Sequence, residues 1–473
     1  MFPSFRDSVQ AVWRAGVEAV LPDRLIKRTL SFEGNPDGAA TLTVQNEKFP
    51  IPPSGKVIVV GMGKAACAMA AGAEEALEPL VKSGRLTGWV NAPADALVPL
   101  IAIHPHAGRP AGLNEPTEEG VAGSLRIEAL VKGASAGDLI LALISGGGSA
   151  LAPLPIPGIT LAEKALVTRL LSSAGANIEE LNTVRKQLSR IKGGGLRRLA
   201  RGKRLAALIL SDVLGDPLDV IASGATVPNT TTAADALAVL KNFGLDKRGG
   251  LKNVCTALER RALASSSEPD SETGYDNHRN LIIANNRTAV DAAVKKAEQL
   301  GFRAFGNSAV RSEPDVALVA GSLISKMEQQ MKFPQAGPAA LVSGGEPTVT
   351  LAPPDIRGKG GRNSQLVLLA LIEALKNPKR FPSRFALLSG GTDGEDGPTD
   401  AAGAFFDDSF LARFIQLGAG GLAEARNAAS RNDAYTFFAE NGGLLRSGAT
   451  GTNVCDLRVL LFSPELEREV CSG

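Results

Sequence analysis

Three copies of the tripeptide Ser-Gly-Gly follow apolar runs and are well suited to bind an anion. Glycines after a parallel strand let the backbone approach a ligand and leave N–H groups at the start of the next helix. Any one copy could instead be a tight turn that closes a βα unit, but three copies together favour a phosphate site. The predicted phosphate-binding residues are Ser145, Gly146, Gly147, Gly148 and Ser149 in the first copy and Ser343, Gly344, Gly345 and Glu346 in the second.

The segment 61–66 reads G-M-G-K-A-A and matches the G-x-G-x-x-A fingerprint of dinucleotide-binding loops. That fingerprint also requires an acidic residue about 20 positions later, at the end of the next strand. The next predicted strand ends at Asn91 instead. Two hypotheses remain for Lys64 in this loop: it contacts a phosphate or carboxylate, or it is a solvated lysine in the first helical turn.

Two basic segments could supply further contacts to an anion. Arg185, Ser189 and Lys192 have the i, i+4, i+7 spacing that predicts one face of a helix, which is either an anion site or an ordinary solvated face. The segment 357–365 contains Arg362 in a glycine-rich loop before an apolar helix. Arginine suits bidentate recognition of phosphate or carboxylate, so Arg362 is a candidate binding residue.

Acidic residues cluster separately from these basic loops. The segment 392–400 has four carboxylates in nine residues, and Asp212 follows the predicted strand 205–210. Mg²⁺ takes hard oxygen ligands and often uses one or two carboxylates together with substrate phosphates. Aspartate and glycine as ordinary turn formers are the alternative. Together with the basic glycine loops, these segments favour a site for a magnesium–nucleotide complex and an anionic substrate.

Strand-like runs alternate with helix-like runs along most of the chain, a pattern typical of a parallel sheet with crossover helices. The predicted strands are 56–60, 139–144, 205–210, 280–284, 339–342 and 384–388, and helices are predicted over 8–21 and 64–78. A polar, turn-rich stretch at 265–280 predicts a surface loop. We therefore predict an α/β fold of two domains, 1–250 and 275–473, with the boundary in the region 230–275.

Composition excludes several classes of function. The chain has 51 lysine and arginine and 49 aspartate and glutamate residues, and the two signs are mixed along the sequence. This balance argues against an extended basic surface that binds the nucleic-acid backbone. Apolar runs are too short for a membrane span, and four scattered cysteines favour a reducing, cytoplasmic location. A G-x-S-x-G match at 133–137 falls between a helix and a strand, the wrong order for a nucleophile elbow, and the three histidines show no metal spacing.

Eight ordered motifs resemble those of the class II glycerate kinases, the glycerate 2-kinases with a C-terminal MOFRL domain. The similarity runs nearly from end to end. The motifs are KVIVVGMGKAACAM (56–69), LALISGGGSAL (141–151), LNTVRKQLSRIKGGGL (181–196), LILSDVLGDPLDVIASG (208–224), SGGEPT (343–348), GRNSQL (361–366), SGGTDGEDGPTDAAGA (389–404) and TGTNVCDL (450–457).

This resemblance implies ATP-dependent phosphorylation of D-glycerate to 2-phosphoglycerate, with Mg²⁺ or a similar divalent ion. It also implies two Rossmann-like, three-layer α/β domains with the active site in the cleft between them. Lys64 and Arg362 match the lysine and arginine proposed as active-site residues in the family. The chain departs from many relatives at Gln187, where histidine is common, and in the segment 104–110, which reads HPHAGRP.

The resemblance and the residues together suggest specific roles. Lys64 and Arg362 would hold the glycerate carboxylate and the transferred phosphoryl group, and Asp393 or Asp396 would coordinate Mg²⁺. Asp212 is the first candidate for the base that orients or deprotonates the attacking hydroxyl, with Asp393 as the alternate. The main alternative function is an NAD(P)H-dependent hydroxypyruvate reductase, a label also used within the family. A regulatory anion-binding module without catalysis is a third hypothesis.

Overall fold

The computed structural model describes residues 4–113, 115–265, 273–333 and 337–464. They form two compact units: an N-terminal unit, Pro22–Ile283, and a C-terminal unit made of the described residues of Met1–Leu21 and Ala284–Gly473. The predicted division at 230–275 differs from this in two respects. The first helix belongs with the C-terminal unit, and the N-terminal unit extends to residue 283. Of the loop predicted at 265–280, residues 266–272 lie outside the described residues, and 278–280 already belong to a strand that begins at His278.

The first helix, α1 (Phe5–Glu18), begins where the Ser4 hydroxyl accepts a hydrogen bond from the Asp7 amide, 3.0 Å away. Apolar residues at helical spacing, among them Val9, Val12 and Trp13, give the helix one buried face. The Trp13 indole donates to the carbonyl of Gly390 at 3.2 Å, which ties the helix to the C-terminal unit.

The N-terminal unit is built around a six-stranded sheet. The strands β4, β5 and β7 are buried along most of their length, as expected for a parallel sheet covered by helices. All four pairings of β4 to β5 and β7, β5 to β6, and β7 to β8 are parallel, which confirms the predicted α/β class. In space the order is β6-β5-β4-β7-β8-β9, and a separate antiparallel sheet of β1, β2 and β3 was not predicted. The strands are β1 (Leu30–Gly34), β2 (Ala40–Val44), β3 (Glu47–Ile51), β4 (Val57–Met62), β5 (Leu86–Pro93), β6 (Ile103–Arg109), β7 (Leu139–Ile144), β8 (Arg204–Leu210) and β9 (His278–Ala284).

The helices of the N-terminal unit form two groups. The helices α3 and α5 pack on the six-stranded sheet, whereas α7, α8, α10 and α11 share an apolar cluster of their own that includes Val167, Val184 and Leu258. The helices are α2 (Pro22–Thr29), α3 (Ala66–Ala76), α4 (Glu78–Lys82), α5 (Glu118–Gly133), α6 (Gly148–Leu151), α7 (Leu161–Ser173), α8 (Ile178–Gln187), α9 (Gly195–Leu199), α10 (Ala233–Asn242) and α11 (Lys252–Ser265).

The C-terminal unit has a second six-stranded sheet, ordered β10-β11-β15-β12-β13-β14. Apolar clusters cover both faces, one with α13 and α14 and the other with α1 and α12, so this unit has the predicted three layers. Its elements are α12 (Asn286–Gln299), β10 (Arg303–Ser308), α13 (Val316–Met331), β11 (Ala339–Gly345), α14 (Arg362–Lys376), β12 (Arg384–Gly391), β13 (Gly403–Asp407), α15 (Asp408–Gln416), α16 (Ala419–Ser430), α17 (Ala434–Asn441), β14 (Leu444–Leu445) and β15 (Asp456–Ser463).

The expectation of a parallel sheet is wrong for this unit. Only β10 and β11 pair in parallel, while β15 lies antiparallel between β11 and β12. The source of the error is β15, a strand that the sequence analysis did not predict. It lies between β11 and β12 and pairs antiparallel with both, whereas the order strand, helix, strand of β11, α14 and β12 is typical of neighbouring parallel strands. Within the described part of the chain, no helix is long and apolar enough to cross a membrane.

Candidate active site

Two glycine loops meet at the centre of the N-terminal sheet. From the neighbouring strands β4 and β7 the chain runs outward in opposite directions, through β5 and β6 on one side and β8 on the other. This is a topological switch point, the place where open α/β sheets leave a crevice at the carboxyl ends of their strands. The loop with Lys64 follows β4, and the loop 145–148 follows β7.

Hydrogen bonds hold these two loops together. The Lys64 amide donates to the Gly146 carbonyl at 2.8 Å, and the Ala65 amide donates to the Ser145 hydroxyl at 3.0 Å. Gly63 has φ of +141°, and a Cβ there would collide with the Ser145 hydroxyl. Ser145, which we predicted to bind phosphate, therefore has a structural contact that fixes the loop geometry.

Two cationic side chains lie over the loop after β7. Gly147 has φ of +77°, and a Cβ added there would lie 3.4 Å from Cγ of Lys64 and 3.8 Å from Nη2 of Arg109. Arg109 is buried, and its burial lowers the pKa of its guanidinium. Sequence reasoning assigned Arg109 no role, although it stands at the end of β6 in the segment 104–110 that departs from many relatives.

Asp212 and Ser149 border the same loop. A Cβ at Gly146 would collide with Oδ2 of Asp212, so this carboxylate lies against the glycine loop from the end of β8. The Ser149 hydroxyl contacts the Ser223 hydroxyl. Around β4, β7 and β8 the structure thus gathers Lys64, the segment 145–149 and Asp212.

The predicted helix face of Arg185, Ser189 and Lys192 does not exist, because α8 ends at Gln187. Ser189 instead forms an isolated bridge with Pro155, and its hydroxyl donates to the Leu154 carbonyl at 3.3 Å. Burial, followed by the positive charges of Lys164 and Arg185, lowers the pKa of Lys192. The predicted helix face is therefore wrong, and a role of Arg185 and Lys192 in binding an anion stays a prediction.

The Ser-Gly-Gly copy at 343–345 is not a loop. These residues form the end of β11 and pair with β10 on one side and β15 on the other. Cβ atoms at Gly344 and Gly345 would collide with Asn286 and with Glu313, respectively. These glycines therefore make room for side chains, which is a different use of glycine from the one that the sequence suggested.

Arg362 is the first residue of α14 and is held by two carboxylates. Its Nε and Nη2 donate to Asp456 at 2.6 and 3.0 Å, and its Nη1 lies 3.0 Å from Oε1 of Glu346. Burial lowers the pKa of Arg362, but the charge and hydrogen bonds of Asp456 outweigh burial and the pKa is raised. Sequence reasoning missed Asp456, although it lies in the family motif at 450–457.

Asp456 is the fixed centre of this arrangement. It is completely buried and also accepts a hydrogen bond from the Asn363 side chain at 3.0 Å. The Asn363 amide oxygen in turn accepts from the Ser389 hydroxyl at 2.6 Å. This network fixes the orientation of the Arg362 guanidinium, and the Arg362 side chain as a whole is 35% exposed.

The two predicted metal ligands lie in different environments. Both oxygens of Asp396 accept backbone hydrogen bonds at the start of α14, from Asn363 at 2.8 Å and Ser364 at 2.9 Å. Burial raises the pKa of Asp396 despite these bonds. Asp396 is thus occupied in capping a helix, whereas Asp393 is half-buried and accepts from the Glu395 amide at 3.1 Å. The donor chemistry fits a metal at Asp393 better than at Asp396.

A resident metal site built from protein ligands alone is not present in the described residues. They contain no group of three or more histidine, cysteine, aspartate or glutamate side chains arranged to hold a metal ion. Mg²⁺ in phosphoryl-transfer sites commonly uses one or two carboxylates and takes its other ligands from the nucleotide and water. A single ligand such as Asp393 is compatible with that mode.

The fold and these loops define a two-domain α/β protein, and models of known families match both parts. Residues 8–259 match a domain of unknown function, DUF4147, and residues 339–456 match the MOFRL family. The chain is 36% identical to a glycerate kinase of Mus musculus, over 97% of this chain and 93% of that protein. It is also 36% identical to a D-glycerate 2-kinase of Thermotoga maritima, over 95% and 96% of the two chains.

A solved structure and a differently named relative complete the comparison. The crystal structure of a glycerate kinase from Thermotoga maritima superposes with a TM-score of 0.78 at 33% identity, over 95% of this chain and 97% of that chain. A putative hydroxypyruvate reductase of Agrobacterium vitis is 38% identical, over 86% of this chain and all of that protein. The chain belongs to the class II glycerate kinases, the family with a C-terminal MOFRL domain.

Proposed function

We propose that this chain phosphorylates D-glycerate to 2-phosphoglycerate with ATP. The observation that supports this most directly is the pair of glycine loops at the switch point of the N-terminal sheet, with Lys64 and Arg109 over Gly147. Backbone N–H groups and cations at such a crevice bind anionic groups. A kinase that acts on glycerate must bind two of them, the polyphosphate of ATP and the carboxylate of its substrate.

The proposed reaction moves one phosphoryl group. The 2-hydroxyl oxygen of glycerate forms a bond to the γ-phosphorus of ATP, the bond to the β,γ-bridging oxygen breaks, and ADP leaves. The hydroxyl proton passes to a carboxylate, for which we propose Asp212 because it borders the glycine loop. Lys64 and Arg362 stabilise the negative charge of the transferring group and hold the substrate carboxylate.

We further propose that Mg²⁺ takes part and that Asp393 is its protein ligand. When bound, the ion neutralises charge on the phosphates. The same segment places Asp396 at the start of α14, and we assign Asp396 to holding that helix. The Asp393→Asn variant should require more Mg²⁺ for half-maximal activity, and an unchanged metal titration would remove Asp393 from the site.

Two assays on the purified protein test the proposed function. The first follows ADP release with D-glycerate, ATP and Mg²⁺, and the second follows NADH oxidation with hydroxypyruvate. We expect ADP release that requires both glycerate and metal, with no NADH oxidation. Coupling the product directly to enolase, which accepts 2-phosphoglycerate, distinguishes phosphorylation at the 2-position from phosphorylation at the 3-position.

The reductase alternative derives support from the name of the Agrobacterium vitis relative and from the G-x-G-x-x-A match. Against it stands Asn91, near the end of β5, where the dinucleotide fingerprint places an acidic residue. Its side chain is buried and donates to the Leu151 carbonyl at 2.8 Å, so it has a structural contact. NADH oxidation without ADP release would establish the reductase and overturn the kinase.

We propose a cytoplasmic location for the reaction. The described cysteines, Cys67, Cys255 and Cys455, are buried free thiols, which is the usual state in a reducing compartment.

A further inference from the structure

Lys164 is a buried lysine whose ammonium group has no partner. The side chain is 4% exposed, and Nζ makes no hydrogen bond to any described residue. It is the fourth residue of α7, which begins at Leu161. A capping box formed by Thr160 and Glu163 stabilises the start of this helix. The start of a helix carries the positive end of its dipole, so a cation is unfavourable there.

Two other buried or half-buried lysines of the same unit have partners. Nζ of Lys186 lies 3.5 Å from a carboxylate oxygen of Asp219. Nζ of Lys203 donates to the carbonyls of Val131 and Lys132 at 2.6 and 2.8 Å. Lys164 differs from both because it has neither a carboxylate nor a carbonyl.

Two more basic side chains come from the adjoining part of the fold: Arg185 lies on α8, which packs against α7, and Lys192, which is 2% exposed, follows that helix. Burial, followed by the positive charge of Arg185, lowers the pKa of Lys164 to about 7. Burial and then the charges of Lys164 and Arg185 lower the pKa of Lys192 as well. Within residues 4–113, 115–265, 273–333 and 337–464, no ion pair joins any of the three to a carboxylate. Cations that are largely buried away from water destabilise the folded protein by repelling one another, and an anion bound among them removes this repulsion.

This cluster is connected to the glycine loop after β7. The Gly193 amide, next to Lys192, donates to the Ser223 carbonyl at 2.9 Å, and the Ser223 hydroxyl contacts that of Ser149. Ala222 and Ser223 have φ of 48° and 57°, a left-handed conformation that non-glycine residues rarely adopt. Strained backbone of this kind is common at ligand sites, where the surrounding structure imposes it.

We propose that Lys164, Arg185 and Lys192 bind a phosphate group, with Lys164 as a ligand-binding residue of this site. Three cations match a phosphate or polyphosphate, which carries two or more negative charges, better than the single charge of a carboxylate. The identification of the ligand rests on the proposed kinase function, which offers two sources: the nucleotide and the phosphorylated acid. The cluster itself requires only a multiply charged oxyanion.

Binding and thermal unfolding of the Lys164→Met variant test the site. The probes are inorganic tripolyphosphate, ADP, 2-phosphoglycerate and D-glycerate, all in a buffer free of phosphate and sulfate. Without ligand, we expect Lys164→Met to melt at a higher temperature than the wild type, because a buried charge is gone. With tripolyphosphate or ADP, we expect at least a tenfold loss of affinity. A lysine with a merely structural role would give a lower melting temperature and unchanged binding.

Lys186→Met is the matched control, because it removes a buried lysine that already has a partner. It should melt lower than the wild type and bind the probes with unchanged affinity. Lys164→Arg keeps the charge and should retain binding within about threefold. If Lys164→Met does not fold, Lys192→Met replaces it and should show the same loss of affinity.

The outcomes separate the site from the proposed function. Tripolyphosphate binding within twofold of the wild type in both Lys164→Met and Lys192→Met would overturn the site. If Lys164→Met loses affinity for ADP but not for 2-phosphoglycerate, the site binds the nucleotide. If it loses affinity for 2-phosphoglycerate but not for ADP, the site binds the phosphorylated acid. Because binding is measured without turnover, a wild type that releases no ADP would refute the kinase and leave the site standing.

Discussion

The two units use glycines and cations in opposite ways. In the N-terminal unit, Gly147 bends a loop through a left-handed conformation, and no carboxylate of the described residues pairs with Lys164, Arg185 or Lys192. In the C-terminal unit, Gly344 and Gly345 lie in a strand, and Arg362 is bound by Asp456 and Glu346. The same residue types therefore form, in one place, a left-handed loop for which we propose anion binding and, in the other, a rigidly oriented side chain.

This difference is physically informative. Cations without partners in a buried place destabilise the protein until an anion binds, so they indicate a ligand. A cation bonded on three nitrogens has lost its conformational freedom in advance and can present its remaining donors in a fixed direction. Preorganised donors of this kind stabilise charge that develops in a transition state.

Loss of Arg362 should have the largest effect, because it removes the preorganised cation of the C-terminal unit. We expect Arg362→Ala to lower kcat/KM for glycerate by at least about 10³-fold, as arginines that stabilise phosphoryl transfer do. Steady-state kinetics with D-glycerate and ATP measures this. Arg380→Ala, which removes an arginine paired with Glu328, is the control and should leave kcat/KM unchanged. A loss of less than tenfold in Arg362→Ala would show that the pairing with Asp456 is only structural.

The second prediction concerns the pH dependence of stability in the N-terminal unit. The pKa of Lys164 is about 7 in the folded protein, lowered first by burial and then by Arg185, against about 10.4 for an unfolded lysine. Between these values the unfolded chain binds more protons, so the free energy of unfolding should rise with pH, by up to about 1.4 kcal/mol per unit from this residue. Below about pH 7 the destabilisation is fully present, and it is lost as pH rises towards 10.4.

Urea unfolding at pH 7, 8 and 9 in a buffer without phosphate measures this effect. Lys164→Met should be more stable than the wild type at pH 7, and the difference should shrink at pH 9. The pKa of Lys192 is lowered as well, so some pH dependence of stability will remain in the variant. A difference between the two proteins that does not change with pH would mean that Lys164 does not titrate in this range.

Much of the fold was accessible from the sequence, because burial leaves a strong apolar pattern. The predicted strand 139–144 coincides with β7, and the strand predicted at 205–210 lies within β8. Strand direction in the C-terminal sheet was not accessible, because β15, which the sequence analysis did not predict, lies antiparallel between β11 and β12. The three-stranded sheet β1-β2-β3 was missed because its strands are short and only partly buried.

The sites were accessible only in part. Lys64 and Gly147 lie in loops whose glycines mark them in the sequence. Lys164 carries no local signal, because a lysine in an early helical turn is an ordinary residue. Asp456 lies in the family motif at 450–457, but nothing in the sequence shows that it pairs with Arg362. Their importance comes from what lies next to them in the folded chain, namely other cations for Lys164 and the Arg362 guanidinium for Asp456.

A third prediction tests whether the glycines of β11 serve packing. A Cβ at Gly345 would collide with Glu313 and lie 2.5 Å from Nη2 of Arg458, which is 2% exposed and paired with Glu313. We expect Gly345→Ala to lower the free energy of unfolding by about 3 kcal/mol, because a buried ion pair must move. Denaturant unfolding measures the loss. Gly321→Ala, at an open position in α13, should instead be stabilising by about 0.5–1 kcal/mol. A Gly345→Ala protein as stable as the wild type would show that the strand adjusts easily.

A smaller loss of stability than at Gly345 is expected at Gly147, and this position separates the two uses of glycine most clearly. A Cβ there makes ordinary contacts with Lys64 and Arg109, so the main penalty of Gly147→Ala is its φ of +77°, about 1–2 kcal/mol. Gly175→Ala has nearly the same penalty, since Gly175 has φ of +85° and nothing within 4 Å of an added Cβ. Both variants should therefore lose similar stability by denaturant unfolding. Of the two variants, Gly147→Ala alone should also raise KM for ATP, because its loop is the one that we propose to bind phosphate. Equal kinetics in the two variants would mean that the loop after β7 is a turn and that the nucleotide binds elsewhere.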